Sequence, residues 1–396
     1  MDISQFGSMF IQLSQGTFTP GQQVNGTINL NLLQQINGAS QIYLVVAGME
    51  TVSLNERQET KVYGTTTAGG GTGKLRMRYF YRNIRHNENY PICNYRFPVY
   101  TFSSNSMPAG MYSFPFSFLL DANLPSSFTY KFTNPAFETE DWAKCIATIE
   151  YNLIALIDDN NPNTPPIRYV QKFSVNQADV ENLGVHKCSV RKDNTSCFCM
   201  SQGSTIMTSY FEKNEYCPGE AANILTEIDN STSSSGVPAV TVIFSQKYTF
   251  QAGPYIHQID MQHQETNIRG VEAGSKLTAQ RMEVKLVDKK GLLVTPTCRG
   301  KLVKNEYFLL NRAHIETSCN CDTPYAEAKM FMTIRNPEMK YQKWVQPQNW
   351  QPKVMPVAQF QPSQQYQQQV FPPELMIRPP VALETHKEGG SSKEAS

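Results

Sequence analysis

The spacing of the apolar residues is the feature that most constrains the fold, because they alternate with polar residues in segment after segment. Met282, Val284 and Leu286, for example, alternate with Glu283 and Lys285. A period of two places successive side chains on opposite faces of a strand, one buried and one in water. No window combines a 3.6-residue period with a capping residue at its start. The same alternation recurs over residues 28–32, 42–46, 149–157, 240–250 and 326–334. Many strands separated by Gly, Pro and Asn predict an all-β protein made of β-sandwiches.

A motif near the N-terminus recurs in the second half of the chain. Phe18-Thr-Pro-Gly precedes a predicted strand over 27–33, and Tyr216-Cys-Pro-Gly precedes one over 223–228. Proline presets the first φ of such a turn and glycine supplies the positive one. A polar turn and a second apolar strand then follow in both halves. This repeated order predicts two copies of one sandwich.

Shifts in composition divide the 396 residues into units, and that length suffices for two domains that bury their cores without disulfides. Residues 183–196 lack apolar alternation and are predicted to be a linker. Residues 341–396 are rich in Gln-Pro, Gln-Gln and Pro-Pro pairs, which predicts a disordered tail. We therefore expect two antiparallel immunoglobulin-like β-sandwiches, over residues 1–182 and 197–340.

The charge balance and the N-terminus indicate the compartment. The chain has 35 Lys and Arg against 34 Asp and Glu, a formal net charge of +1, which excludes a generally basic nucleic-acid wrapper. No basic segment followed by an apolar one opens the chain, and the longest apolar run, residues 42–49, is too short to cross a bilayer. These features predict a cytoplasmic protein whose cysteines are reduced or bind metal.

Two Cys-x-Cys pairs give the candidate metal site. Cys197 and Cys199 open the second predicted domain, and Cys319 and Cys321 lie between two late strands. Four thiolates match the ligand count of a structural zinc site, although the spacing of one residue is shorter than the usual two to four. Two alternatives remain, a structural zinc ion or four reduced thiols. Three other cysteines, in strand or turn contexts, are expected in the core: Cys145, Cys217 and Cys298.

A basic stretch gives the candidate site for an anionic partner. Lys74, Arg76, Arg78, Arg82 and Arg85 place five positive charges within twelve residues. On a strand, the first three share one face, which could hold a phosphorylated or acidic peptide or anionic lipid headgroups by charge-assisted hydrogen bonds. The alternative is a solvated strand face.

Catalytic motifs are not evident, so we predict no enzymatic activity. The glycine-rich residues 68–75 resemble a phosphate-binding loop, but Ala68 replaces the first glycine of that motif and Leu75 replaces its Ser or Thr. A strand rather than a helix is predicted to follow. The six histidines are scattered, and no cysteine lies in a recognised nucleophile context.

One aromatic-rich segment is predicted to form part of the first core. Phe114, Phe116 and Phe118 alternate around Pro115. A proline within such a pattern fits a strand near the edge of a sheet, where a missing N–H is tolerated.

Four segments, taken in order, resemble the arrestin fold family over roughly residues 8–340. Residues 18–28 carry its aromatic-x-Pro-Gly-x-x-Val-x-Gly opening, and residues 110–118 with Leu-Pro-Ser-Ser-Phe at 124–128 resemble its N-domain signature. Residues 216–220, with Ile-Asp-Asn-Ser at 228–231, resemble the start of its C-domain. The resemblance is strongest to arrestin-domain-containing proteins, the α-arrestins. It implies two sandwiches side by side, both Cys-x-Cys pairs at the distal edge of the C-domain, and an adaptor that binds cytoplasmic parts of membrane proteins and directs their trafficking.

The chain departs from that family in two places. Residues 372–375 read Pro-Pro-Glu-Leu, where many α-arrestins carry a Pro-Pro-x-Tyr motif that recruits WW-domain ubiquitin ligases, so recruitment by that route is in doubt. Residues 10–14 lack the basic pair with which some arrestins sense phosphorylated receptors. Two function classes remain, a trafficking adaptor or a structural subunit of an endosomal coat similar to the arrestin-like subunit of retromer. The long tail favours the adaptor.

Overall fold

The computed structural model describes most of the chain as strands. The described residues are 3–4, 6–39, 41–65, 75–104, 106–133, 144–157, 167–177, 186–195, 200–316, 325–340 and 344–360. Side chains over residues 56–81 lie outside this description. The described residues form strands and turns and no helix, as the period-two alternation predicts.

The N-terminal half folds into one sandwich of two sheets. Its strands are β1 (Ile3–Ser4), β2 (Gly7–Leu13), β3 (Thr17–Phe18), β4 (Gln23–Leu32), β5 (Ile36–Asn37), β6 (Gln41–Thr65), β7 (Leu75–Thr101), β8 (Ser106–Met107), β9 (Gly110–Leu119), β10 (Phe128–Thr133), β11 (Lys144–Ile157) and β12 (Arg168–Val175). One sheet has the order β1-β2-β4-β9 and the other β3-β12-β11-β6-β7, with β10 also paired to β11. Strands β5 and β8 form a small separate pair.

The C-terminal half folds into a second sandwich. Its strands are β13 (His186–Thr195), β14 (Ser201–Phe211), β15 (Glu215–Tyr216), β16 (Ala221–Asp229), β17 (Val237–Ala252), β18 (Tyr255–Val271), β19 (Lys276–Lys285), β20 (Cys298–Arg299), β21 (Val303–His314) and β22 (Tyr325–Ile334). The sheets have the orders β13-β14-β16-β19 and β15-β22-β21-β17-β18, and β20 pairs with β21. The predicted all-β architecture of two sandwiches is confirmed.

The internal repeat occupies equivalent places in the two sandwiches. Strand β3 pairs in parallel with β12, and β15 pairs in parallel with β22. Phe18 and Tyr216 are each 1% exposed and enter the two cores. Gly21 and Gly219 follow at φ values of 77° and 85°, in the left-handed region that glycine adopts without strain. The Pro-Gly turn therefore ends a short parallel strand and directs the chain into the next long strand of each sandwich.

Strand β17 connects the two cores. Val240, Val242 and Phe244, in its first half, are buried in the C-terminal core. Tyr248 and Phe250, in its second half, belong instead to the cluster that fills the N-terminal sandwich. One long strand thus contributes its apolar face to both domains, which fixes how they pack.

The predicted linker is wrong over most of its length. Residues 186–195 form β13, which pairs antiparallel with β14 at the edge of a sheet. Only Cys188 and Val190 pack against the core from this strand, so it lacks an apolar alternation that could be recognised. Residues 183–185 and 196 lie outside the described residues. The division into units over 1–182 and 197–340 stays a prediction.

The predicted disorder of the tail is also wrong over residues 344–360. Within this segment, β23 (Lys353–Val354) and β24 (Ala358–Phe360) pair in parallel with β9. The segment needs no core of its own, because it adds to a sandwich that already exists. Residues 341–343 and 361–396, including the Pro-Pro-Glu-Leu sequence, lie outside the described residues.

Candidate partner-binding surfaces

The outer edge of β9 holds an extended segment of the chain's own tail. Met355 donates its backbone N–H to the carbonyl oxygen of Ser113 at 2.9 Å, and its side chain is only 6% exposed. The ring of Phe360 stacks on Phe97 with a centroid separation of 4.7 Å. Main-chain pairing thus holds the segment along β9, while two apolar side chains fix its register.

Pro115 divides this edge into two short pairing sites. Strand β23 pairs with Tyr112 and Ser113, and β24 pairs with residues 116–118. Because Ser113 directs its carbonyl toward the tail, Pro115, two residues later, is the position whose N–H would point the same way. Proline has no N–H, so the pairing stops there and resumes beyond it. The prediction of a near-edge strand is confirmed, as is the burial of Phe114, Phe116 and Phe118, which are 1%, 2% and 2% exposed.

The β9 edge has the features of a site for strand addition. In that binding mode, backbone hydrogen bonds supply affinity and pockets for alternate side chains supply specificity. Here the backbone of β9 accepts the tail, and the Met355 and Phe360 positions show where an incoming segment would place apolar side chains. Sequence reasoning missed this site, and the available signal was the apolar run over 354–360, interrupted only by Pro356 and Gln359, in a tail otherwise rich in Gln and Pro.

The hairpin of β6 and β7 extends beyond the sandwich as a two-stranded ribbon. These strands pair from Gln41–Thr101 to Thr65–Leu75, whereas β11 accompanies β6 only as far as Leu54. We call residues 55–65 and 75–85 the arm. Among the described residues, no third strand pairs with it.

The arm carries four of the five residues of the predicted basic site. Arg76 and Arg78 lie in the backbone of β7 opposite Gly64 and Val62, and Arg82 and Arg85 have exposed side chains. Arg82 and Arg85 are three positions apart along a regular strand, so these two side chains lie on opposite faces. Arg85 also donates from Nε to the side-chain oxygens of Ser53, at 3.3 Å, and Asn87, at 3.2 Å. Lys74 lies outside the described residues, and a role of this stretch in binding stays a prediction.

A buried carboxylate joins the two domains. Glu50, on β6, is 0% exposed, and it accepts the backbone N–H groups of Lys301, Leu302 and Val303 at 3.0, 2.8 and 2.5 Å. Successive N–H groups of this kind form an anion-binding concavity. A Cβ atom at Gly300 would lie 2.2 Å from Oε1 of Glu50, so only glycine allows this approach. Burial raises the pKa of Glu50 above its ordinary value, and the three N–H groups and Lys301 partly oppose that rise.

Aromatic and polar contacts surround this junction. Tyr130 packs on Tyr248 and Phe250 of β17, with centroid separations of 4.6 and 5.1 Å. At another point of contact, Asn336 donates its backbone N–H to Oδ1 of Asn176 at 2.6 Å, and Nδ2 of Asn176 donates to the Asn336 carbonyl at 3.2 Å. These contacts, together with those of Glu50, hold the two domains against each other.

Cysteine placement is resolved for only part of the predicted set. Cys145 and Cys298 are buried as expected, and burial raises the pKa of the Cys145 thiol to about 12. Cys217 is exposed, which contradicts its predicted place in the core, because Tyr216 fills the inward position of that turn. Cys197, Cys199, Cys319 and Cys321 lie outside the described residues, among which no cluster of three metal-binding side chains occurs.

The described residues that flank both Cys-x-Cys loops lie at one end of the C-terminal sandwich. Ser234, just before β17, donates its backbone N–H to the Gln202 carbonyl at 2.9 Å, close to the start of β14. Gly236 and Glu316 also pair, since the Glu316 N–H donates to the Gly236 carbonyl at 2.9 Å. The described residues next to both Cys-x-Cys pairs therefore lie within one neighbourhood.

Comparisons with known proteins match both halves. The model of the arrestin (or S-antigen) N-terminal domain matches residues 8–179, and that of the arrestin C-terminal domain matches residues 201–335. Arrestin domain-containing protein A of Dictyostelium discoideum is 26% identical over 226 residues, which cover 57% of this chain and 35% of that protein. Arrestin domain-containing protein 4 of Mus musculus is 23% identical over 278 residues, 70% of this chain and 60% of that protein. Arrestin domain-containing protein 5 of Bos taurus is 32% identical over 149 residues, 38% of this chain and 40% of that protein.

The chain thus spans between about a third and three fifths of the length of these relatives. Within the ranges described above, no helical segment has the length and apolar character of a membrane span.

Proposed function

Because the chain belongs to the family of arrestin-domain-containing proteins, the α-arrestins, we propose that it is a non-catalytic adaptor that binds cytoplasmic parts of membrane proteins and directs their endocytosis or vesicular trafficking. Membership of this family implies an adaptor-like role, and arrestin-family proteins are generally non-catalytic. The observation that carries the proposal is the β9 edge, where the N-terminal sandwich already holds an extended peptide segment.

In this proposal, an extended segment of a membrane protein's cytoplasmic tail adds to β9 in place of residues 353–360. A cytoplasmic tail is exposed chain, so it can pair along an edge strand without first unfolding. Its apolar side chains would occupy the positions that Met355 and Phe360 now fill. The binding surface is thereby released only when the chain's own tail leaves.

The arm is proposed to support recruitment to the plasma membrane or endosomes. Arginines in this ribbon, among them the exposed Arg82 and Arg85, can contact anionic headgroups or acidic peptide segments. Screening by salt limits such contacts to within about 10 Å of the surface, so they would add to cargo binding rather than replace it.

A structural zinc ion bound by Cys197, Cys199, Cys319 and Cys321 remains a proposal for the distal end of the C-domain. The common neighbourhood of the loop ends supports it, because thiolate ligands must converge within about 2.3 Å of the metal. Elemental analysis of protein purified without chelator would give close to one equivalent of zinc, lost in the Cys319→Ser variant. Less than about a tenth of an equivalent would leave four reduced cysteines.

Proximity labelling in cells tests the proposed function, with the full chain compared with a chain lacking residues 341–396. An adaptor labels membrane transporters or receptors, and the set or intensity changes when the tail is removed. Labelling confined to endosomal coat subunits, and independent of the tail, would instead support the retromer-like structural role.

A further inference from the structure

A cavity of the C-terminal sandwich lies between β13 and β22, on the side opposite β18. Its volume is about 500 Å³, within the usual range of about 300–1,000 Å³ for ligand sites. The start of β13 (residues 186–188) borders it on one side and the middle of β22 (residues 329–331) on the other. Met330 and Phe211 form its apolar floor.

The charge of this cavity is positive. Among the described lining residues, Lys187, Arg299 and Lys329 carry permanent positive charges, and Glu306 is the one acidic residue. Neither lysine pairs with a carboxylate in the described part of the chain. Both are held over aromatic rings instead, on the outer faces of their two sheets, which restricts the ammonium groups before any ligand arrives. The ammonium of Lys329 lies 4.0 Å from the centroid of Phe308 and 4.7 Å from that of Phe331, and that of Lys187 lies 5.3 Å from the centroid of Tyr210.

The backbone of β22 is open toward the cavity. Thr333 donates its N–H to the Asn214 carbonyl at 2.7 Å, away from β21. In an antiparallel strand, residues two apart direct their N–H and C=O groups to the same side. Phe331 and Lys329 therefore direct theirs to this side as well, where no strand of the described chain pairs with them.

A further polar group at the cavity lacks a partner. Asn214 is 4% exposed and lines the cavity, and its Oδ1 atom accepts no hydrogen bond among the described residues. A buried carbonyl of this kind is destabilising unless a donor reaches it. A complementary ligand must therefore bring N–H donors together with negative charge. A phosphate-like anion supplies mainly the charge, whereas a peptide supplies both.

We propose that this cavity binds an extended acidic segment of a partner protein, which adds as a strand to the free edge of β22 and places its carboxylates against Lys329, while Lys187 adds positive charge at the opposite border. Phe331, which is 52% exposed, shares the face of Lys329, so the apolar side chains on the other face of the segment would contact Met330 and Phe211. The site lies on a different domain from the β9 edge and goes beyond the proposed function, so the chain would carry two independent strand-addition sites. Peptide binding to the purified protein tests the β22 site independently of which membrane protein binds at β9.

Fluorescence anisotropy with the full chain tests the proposal directly. The probe is a fluorescein-labelled octapeptide of alternating Glu and Val, and the matched peptide has Gln in place of Glu. We expect the Glu peptide to bind at least about tenfold more tightly than the Gln peptide, and the combined substitution Lys187→Glu and Lys329→Glu to weaken it about tenfold or more. Lys285→Glu with Lys290→Glu is the control, since it reverses two exposed lysines of the same domain outside the cavity.

Two further measurements separate strand addition from simple charge attraction. N-methylation of alternate peptide residues removes donors but keeps the charge, and should weaken binding about tenfold. The bound peptide should also slow alkylation of Cys188, which lines the cavity, but not of Cys217, which does not. Absence of binding, equal loss in both lysine variants, equal binding of the N-methylated peptide, or unprotected Cys188 would each overturn the proposal.

Discussion

Glu50 shows how a single residue can link two domains. On β6 the positions that face the sandwich core are the even-numbered ones, including Val46, Val52 and Leu54. Glu50 falls in this series, so its carboxylate points inward, where the N–H groups of residues 301–303 receive it. The alternation of the sequence predicts that Glu50 is buried. The reason for a carboxylate at this position becomes clear only from the packing of the second domain against the first.

The raised pKa of Glu50 predicts a pH dependence of stability. Because burial raises this pKa above 4.5, the folded chain holds the proton more tightly than the unfolded chain. Stability should therefore fall as pH rises from about 4.5 through the folded pKa, and Glu50→Gln should flatten that part of the profile. Thermal unfolding at pH 4 to 7 measures it, with Glu150→Gln, a half-exposed carboxylate paired with Lys172, as the control. Identical profiles for the Glu50→Gln variant and the unaltered chain would contradict this reading.

Substitution of Phe116 tests how much one buried ring contributes to the stability of the N-terminal core. Its ring is 2% exposed and packs on Phe118 at 6.2 Å between centroids. Phe116→Ala should lower the free energy of unfolding by about 3–5 kcal/mol, because the site cannot fully collapse around the lost ring. Chemical denaturation measures the change, and Phe331→Ala, at an exposed ring, should cost far less. Equal effects of both substitutions would show that burial of Phe116 is not what stabilises this sandwich.

At the scale of elements, strands with one apolar face are predictable from sequence and strands without one are not. The alternations over 240–250 and 326–334 correspond to β17 and β22. Strand β13 could not be predicted in this way, because it is an edge strand of mainly polar residues. Backbone pairing with β14 holds it in place rather than burial of its own side chains. Residues 353–360 also could not be predicted, for a different reason, because their two short strands pair with β9, which is distant in sequence, and no long alternation marks them.

The arm makes a prediction that separates its two faces. A membrane that lies against one face of a strand contacts Arg82 or Arg85 but not both. Position 82 lies an even number of residues from positions 76 and 78, so these three positions fall on the same face of a regular strand. Arg82→Gln should therefore weaken binding to phosphatidylserine-containing vesicles by about 1 kcal/mol, roughly fivefold, while Arg85→Gln has little effect. Vesicle co-sedimentation at low salt measures this. Unchanged binding in both variants would indicate a solvated strand face.

On the scale of the whole molecule, the sequence predicts two sandwiches but not how they pack against each other. The repeat built on Phe18 and Tyr216 specifies two similar folding patterns, because each supplies the same turn and parallel strand. The union depends on β17 entering both cores, on Glu50, and on the return of the tail to β9. These are contacts between residues far apart in the chain, which no local period can encode.

The most direct test of the adaptor account is capture of an array of membrane-protein cytoplasmic tail peptides by the full chain and by a variant that releases its own tail. Met355→Asp places a charge at a buried anchor and should free β9, whereas Val354→Asp changes a residue that is 66% exposed and should leave the tail in place. The account predicts that Met355→Asp increases capture several-fold, that Val354→Asp does not, and that a synthetic peptide of residues 344–360 competes for the same site. Capture that is absent, or equal in all three proteins and unaffected by the competing peptide, would contradict it.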